Sequence, residues 1–290
     1  MPELPEVETV RASLEPVLAG RRFAEVEIAD PRLTRPFEPD AVARSLVGEE
    51  VGAVRRRGKY LIVLFESGRT LLVHLRMTGS FRHGSDARDD PHARAVVTLD
   101  DGSHVVYRDV RRFGTWLVLE PGELDDYLEA RIGGEPLERS FTPAVLAAGL
   151  ADRKAPVKAA LLDQRTVAGV GNIYVDEALW RARIHPLRPA GELDEDEIKV
   201  LHRAIRDALR MGIRRQGATL RDYARPDGGR GRMQDAFKVY GREGEPCERC
   251  GTPIEKTRAG GRGTWYCPSC QAAAASSRRR PARSSRQSSL

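Results

Sequence analysis

Leu61-Ile62-Val63-Leu64-Phe65-Glu66-Ser67-Gly68-Arg69-Thr70-Leu71-Leu72-Val73 reads as two short β-rich runs about a Ser-Gly turn, and it decides the class of the N-terminal half. The runs Ala95-Val96-Val97-Thr98-Leu99, His104-Val105-Val106-Tyr107 and Trp116-Leu117-Val118-Leu119 repeat the pattern, with Asp100-Asp101-Gly102 as a second tight turn. Several short strands without intervening helices over about 23–120 favour a β-sandwich. Upstream, Val7, Val10 and Leu14 fall at helical spacing, and Pro16 should kink or end that helix.

Downstream the period changes. Residues 133–225 read as helical: Pro156 can open a helix through Leu162, and after the Gly169-Val170-Gly171 turn Asn172 can cap another to about Arg183. A longer helix starts near Asp194, with Glu197 in capping-box position and Ile198, Leu201, Ile205 and Leu209 facing inward. Residues 226–244 are glycine-rich and basic, which suggests a mobile loop, and the Ala/Ser/Arg-rich stretch 271–290 should be disordered. The expected division is 1–132, 133–225, 226–270 and a 271–290 tail, an α+β multidomain chain.

A chain of 290 residues, 40% hydrophobic and 31% charged, has room for two ordinary globular domains. No apolar run approaches a membrane span, and the acidic, proline-bearing start is no signal peptide, so a cytoplasmic location and no membrane partner are expected. The formal charge of +6 drops to +1 without Arg278, Arg279, Arg280, Arg283 and Arg286, so net charge alone does not identify a DNA-binding fold. Nothing indicates an oligomer interface, and a monomer is expected.

All four cysteines lie between Cys247 and Cys270, as Cys247-x-x-Cys250, sixteen residues, then Cys267-x-x-Cys270. That spacing signals one tetrahedral zinc in a reducing compartment rather than a disulfide framework. Four thiolates leave no open coordination position, so the ion is structural. It supplies the stability that so short a segment cannot draw from a core of its own. The expected hairpin tip, Lys256-Thr257-Arg258-Ala259-Gly260-Gly261-Arg262-Gly263, suits phosphate, although a solvated basic loop reads the same way.

At the start stands Met1-Pro2-Glu3-Leu4-Pro5-Glu6-Val7-Glu8. With Met1 removed, Pro2 becomes a free secondary amine, and its attack on a sugar C1′ gives a permanently cationic iminium that acts as an electron sink. An ordinary unstructured terminus is the alternative. Arg55-Arg56-Arg57-Gly58-Lys59-Tyr60 precedes a strand; neighbouring cations would lower the Lys59 pKa and make it a better proton carrier, while an exposed basic turn is the bland alternative. Arg111-Arg112-Phe113-Gly114 joins guanidinium groups to an aromatic that could wedge a base stack or sit in the core, and Met77 in His74-Leu75-Arg76-Met77-Thr78-Gly79 is equally ambiguous.

Together these segments, with Gly169-Val170-Gly171-Asn172-Ile173-Tyr174, resemble the bacterial formamidopyrimidine-DNA glycosylase family, which also includes endonuclease VIII. The resemblance covers residues 2–270. It implies an N-terminal β-sandwich with flanking helices, a helix–two-turn–helix domain and a C-terminal β-hairpin zinc finger, with double-stranded DNA containing oxidised bases bound in the cleft. It further implies that Pro2 attacks C1′, Glu3 protonates the opened sugar, Lys59 touches the lesion phosphate and assists a first elimination, and Arg262 assists a second. Lys158 and Asn172 would hold the backbone at the lesion. Met77, Arg111 and Phe113 would fill the gap left by the flipped base, and His92, Arg112, Arg153 and Lys154 would add DNA contacts. The base-recognition loop should lie within Thr219–Gln234, and the tail after Cys270 departs from the family's usual end.

The implied activity is a bifunctional glycosylase and AP lyase of base excision repair for oxidised purines such as 8-oxoguanine and formamidopyrimidines, acting by β,δ-elimination. An endonuclease VIII-like enzyme for oxidised pyrimidines is the alternative within catalysis. A non-catalytic zinc-ribbon DNA-binding protein is the alternative outside it, and it leaves Pro2, Glu3 and Lys59 without a role.

Overall fold

A computed structural model describes residues 1–84, 89–220 and 223–273. Helix α1 (Leu4–Leu18) is followed by β1 (Phe23–Ile28), α2 (Pro39–Leu46), β2 (Val51–Arg57), β3 (Tyr60–Phe65), β4 (Thr70–His74), β5 (Gly79–His83), β6 (Ala93–Leu99), β7 (His104–Asp109) and β8 (Thr115–Leu119). The strands form two antiparallel four-stranded sheets, ordered β1-β6-β7-β5 and β2-β3-β4-β8. Between them lie Phe23, Val63, Phe65, Val73, Val97, Val105 and an aromatic group of Phe81, Tyr107 and Trp116, joined by Val7, Val10 and Leu14 of α1.

The β3 run is continuously apolar rather than alternating because both faces of its sheet are covered. Leu61 and Val63 face the sandwich core, while Ile62 packs outward with Leu72, Leu128, Ile132 and Ala168. Two details differ from the sequence reading. Helix α2 interrupts the strand series, and Pro16 does not end α1: the helix continues to Leu18, two residues further, so the lost N–H and the ring's clash with the preceding turn fall at its last turn.

The helical part comprises α3 (Glu123–Glu129), α4 (Pro143–Leu150), α5 (Val157–Leu162), α6 (Asn172–Ala182) and α7 (Glu195–Arg214). Helix α6 is encased, with every residue from Ile173 to Trp180 buried. Helix α7 presents Ile198, Leu201, Ile205 and Leu209 to it and opens on the reciprocal Asp194–Glu197 capping box, both bonds 2.9 Å. Strands β9 (Glu255–Ala259) and β10 (Arg262–Tyr266) form the finger hairpin, docked through Val239, Cys247, Ile254 and Cys267 on Trp180. Gln271, expected in a disordered tail, is buried and donates to the Ile184 carbonyl at 2.9 Å; the rest of that tail from 274 lies outside the described residues. Among the described residues no helix is long and apolar enough to cross a membrane.

The N-terminus ties these parts together. Leu4 packs in the helical core rather than the sandwich core, and its N–H donates to the Gly169 carbonyl at 3.0 Å.

Candidate active site

Pinning Leu4 beside Gly169 carries Glu3 to the start of α6. Its carboxylate accepts the backbone N–H groups of Ile173 (2.9 Å) and Tyr174 (3.3 Å), so a residue 170 positions away caps that helix. The sequence reading gave the cap to Asn172. The backbone cap position is instead Gly171, where a Cβ would stand 2.3 Å from the Glu3 carboxyl carbon; only glycine leaves room for this approach. Gly169, at φ +82°, makes the preceding turn. Pro2 is buried, and Met1, still on its nitrogen, is 48% exposed in the cleft.

Lys59 reaches the same place from the sandwich. Gly58 and Lys59 form the two-residue turn joining β2 to β3, with Gly58 at positive φ, and Lys59 is 6% exposed. Burial pushes its pKa down and Arg262 adds to this, while Glu3 and Glu6 oppose it. The cause therefore differs from the sequence expectation. Arg56 is tied to Glu8 (3.0 Å) and Glu135 (2.8 Å), and Arg57 donates to the Gly133 carbonyl (3.1 Å); these arginines brace the fold.

A cleft of about 240 Å³ is lined by Glu3, Lys59, Asn172 and Arg262 among others. A neighbouring one of about 360 Å³ is lined by Pro2, Glu6, Met77 and Arg111, and the two share Met1, Met77, Ile173, Leu220 and Tyr240. Four residues spread from position 2 to 262 thus meet around one connected space. Within it burial pushes the Glu3 carboxyl up, against the pull of Lys59 and the two backbone N–H groups. It holds the His74 imidazole down to about 3, with Arg76 and Lys59 adding to the effect, so that ring is neutral.

Glu6 was missed as a site residue. It accepts the N–H of Glu3 (2.9 Å), the Tyr174 hydroxyl (2.8 Å) and the N–H of Ala218 (2.8 Å), and it sits fully buried at the cleft wall. Burial, then the nearby Glu3, push its pKa up to about 7. The Glu3-x-x-Glu6 spacing at a helix start was the available signal. Glu6 thereby anchors the start of the stretch 219–234, whose base is closed by Thr219 N–H to Gln234 (3.0 Å) and Gly231 N–H to Thr219 (2.9 Å); residues 221–222 lie outside the described residues.

Phe113 is 52% exposed, so it is no core residue, and the Arg111 guanidinium lies 4.9 Å from its ring centroid. Thr78 fixes this loop by accepting the Arg111 N–H at 3.0 Å while donating to Asp109. Lys154 is exposed and His92 half-buried. Arg112 and Arg153 carry acidic partners, Asp30 (2.7 Å) and Asp163 (3.1 Å). Lys158 departs most from the expectation: it has 0% exposure, pairs with Asp176 at 2.8 Å and donates to the Gly263 carbonyl at 2.8 Å. Asn172 donates to that same carbonyl at 3.1 Å.

The four cysteine sulfurs lie within 4.8 Å of one another, with separations of 3.5 Å (Cys250–Cys267), 3.4 Å (Cys250–Cys270) and 4.0 Å (Cys247–Cys270). A tetrahedron with Zn–S bonds of about 2.3 Å has edges near 3.8 Å, so this donor set fits one zinc ion. The Trp180 indole N–H and the Cys270 backbone N–H, both at 3.4 Å from a sulfur, would temper the negative charge of the thiolates.

Residues 1–116 match the model of the formamidopyrimidine-DNA glycosylase N-terminal domain, 132–224 that of its H2TH domain, and 244–273 that of the zinc finger found in FPG and IleRS. The formamidopyrimidine-DNA glycosylase of a Roseiflexus species is 47% identical over 273 residues, covering 93% of this chain and all of that protein. A Lactococcus lactis FPG mutant, solved with DNA containing Fapy-dG, superposes with TM-score 0.88 at 38% identity over 94% of this chain and all of that one. The MutM (FPG) protein of Thermus thermophilus gives 0.84 at 42% identity over 93% and 98%. The sandwich, the helix-capping N-terminus and the four-cysteine hairpin therefore belong to one known lineage: the chain is a member of the formamidopyrimidine-DNA glycosylase family.

Proposed function

We propose that this protein is a bifunctional DNA glycosylase and AP lyase that removes oxidised purines, 8-oxoguanine and formamidopyrimidines, from double-stranded DNA in the cytoplasm. The observation that carries this reading is the convergence of Pro2, Glu3, Lys59 and Arg262 on one connected cleft. The family's naming for formamidopyrimidine and the Fapy-dG in the Lactococcus complex support the choice of purines.

Once Met1 is removed, the Pro2 nitrogen faces the cleft. It bonds to C1′ of a flipped nucleotide as the C1′–base bond breaks, and the base leaves with that electron pair and takes up a proton. Glu3, whose carboxyl is held protonated to higher pH by burial, donates to O4′ as the C1′–O4′ bond opens. The nitrogen loses its own proton and an iminium remains. Loss of a C2′ proton sends electrons toward the iminium and expels the 3′ phosphate as the C3′–O bond breaks. Loss of the C4′ proton then breaks the C5′–O bond and releases the 5′ phosphate. Water finally hydrolyses the conjugated iminium and frees Pro2. Lys59, desolvated and with its pKa lowered, serves the first elimination, and Arg262 steadies phosphate for the second. Cys247, Cys250, Cys267 and Cys270 would hold a zinc ion that fixes the finger hairpin carrying Arg262.

Borohydride trapping on an 8-oxoguanine duplex tests this. The expected result is a covalent adduct mapping to residue 2, absent when an N-terminal extension blocks the amine. Tight binding with no adduct would reject the mechanism, and an adduct with thymine glycol alone would favour the pyrimidine enzyme.

A further inference from the structure

The fully buried ion pair between α5 and α6 does not face the cleft. Asp176 holds Lys158 through both oxygens, at 2.8 and 3.0 Å, and its second oxygen also accepts the backbone N–H of Trp265 at 3.1 Å. Lys158 in turn donates to the Gly263 carbonyl, as Asn172 does. Two lines of contact therefore run from the helical part into β10, one at Gly263, the residue after Arg262, and one at Trp265. Trp265 is held from its side chain as well, its ring 4.6 Å from that of Tyr240. The side chains of Lys158 and Asp176 have no exposure, and Asn172, which also lines the cleft, donates its amide to the same carbonyl.

We infer that Asp176 is a positioning residue for the second elimination: through Lys158 and the Trp265 N–H it locks the finger tip so that Arg262 stands in the cleft opposite Lys59. This rests on the glycosylase/lyase reading given above. The physical reason is the stiffness of the link. A four-residue hairpin tip has few contacts of its own, and the four-cysteine cluster of Cys247, Cys250, Cys267 and Cys270 lies at the other end of the finger. A charge-assisted pair in a dry site fixes the tip far more tightly than exposed hydrogen bonds would, and an ångström of misplacement is enough to lower a rate severely. The nucleophile and Glu3 are held by a different set of contacts, Leu4 to Gly169 and Glu3 to α6, so disturbing the clamp separates the two steps.

The test uses the full-length, zinc-loaded, Met1-processed protein and Asp176→Asn, which keeps the shape but loses the charge and one acceptor. In the wild type, the Trp265 amide should exchange with deuterium as slowly as the amides in the middle of α6; rapid exchange there would overturn the clamp without any variant. In Asp176→Asn, exchange over 260–266 should rise at least tenfold at unchanged zinc content. On an abasic-site duplex, the product of the second elimination should fall at least tenfold relative to that of the first, as in Arg262→Ala, while borohydride trapping falls less than threefold. An unchanged product ratio, or equal losses in trapping and in both eliminations, would overturn the proposal. Should the wild type give no adduct at all, the lyase reading fails separately, and the role of Asp176 in catalysis fails with it even if the exchange data show the tip to be clamped.

Discussion

The Glu3 carboxylate caps α6 by accepting the Ile173 N–H at 2.9 Å, so one side chain serves both as the acid of the proposed reaction and as the end of the most deeply buried helix. Glu3→Gln keeps an acceptor there but removes the charge that favours a helix N-terminus. Ring opening to the iminium should fall by roughly 10²–10⁴, while stability falls by only about 1–2 kcal/mol. Single-turnover borohydride trapping beside a urea melt checks both numbers.

Phe113→Ala separates a wedge from a core residue. Because the ring is half exposed, the melting temperature should stay within the range of ordinary surface substitutions. Binding to a lesion duplex should weaken by about 1–3 kcal/mol, the worth of one stacked aromatic. Fluorescence anisotropy on lesion and undamaged duplexes reads this, with the larger loss on the lesion.

Glu6 gives the fold a pH dependence of definite sign. Its carboxyl titrates at about 7 in the folded protein against 4.5 as the ordinary value, so between those two pH values the folded state holds a proton the unfolded chain releases. This contribution is complete below about pH 4.5 and is lost as pH rises through 7. Comparing urea melts at pH 5 and pH 8, Glu6→Gln should flatten the fall in stability by roughly 1–3 kcal/mol.

Removing zinc should act on the finger alone. With a strong chelator, the thiolate cluster loses its central charge and the hairpin, whose own core is little more than Val239, Ile254 and the cysteines, comes off Trp180. Quenching or shift of Trp180 and Trp265 fluorescence with loss of duplex binding is expected, while the sandwich's near-ultraviolet signal from Phe81, Tyr107 and Trp116 persists.

Much of this was legible beforehand because its signals are local. The β3–β4 hairpin announces itself by a continuous apolar run about Ser67-Gly68, α7 by its capping box and stripe, and the metal site by cysteine spacing. Strands β1, β2 and β5 were not resolved one by one: β1 and β5 have their cross-strand partners far along the chain, in β6 and β7, and Val51-Gly52-Ala53-Val54-Arg55 of β2, although paired with the next strand, shows little periodicity of its own. The pairing of Arg56 with Glu135, of Glu6 with Ala218 and of Lys158 with Asp176 was invisible for the same reason. Lys158 is the clearest case. A lysine at a matching motif position reads as a phosphate ligand, and its complete burial against a carboxylate 18 residues away is what the sequence does not show.

The cap on α6 also sets when the enzyme comes into being during synthesis. Residues 2 and 3 leave the ribosome well before their docking site at Gly169–Tyr174, which emerges some 170 residues later, and the tip bearing Arg262 emerges later still. In the proposed reaction, a chain released early would carry the Pro2 amine with nothing to aim it. The proposed cutting centre therefore assembles last, on a nearly finished polypeptide.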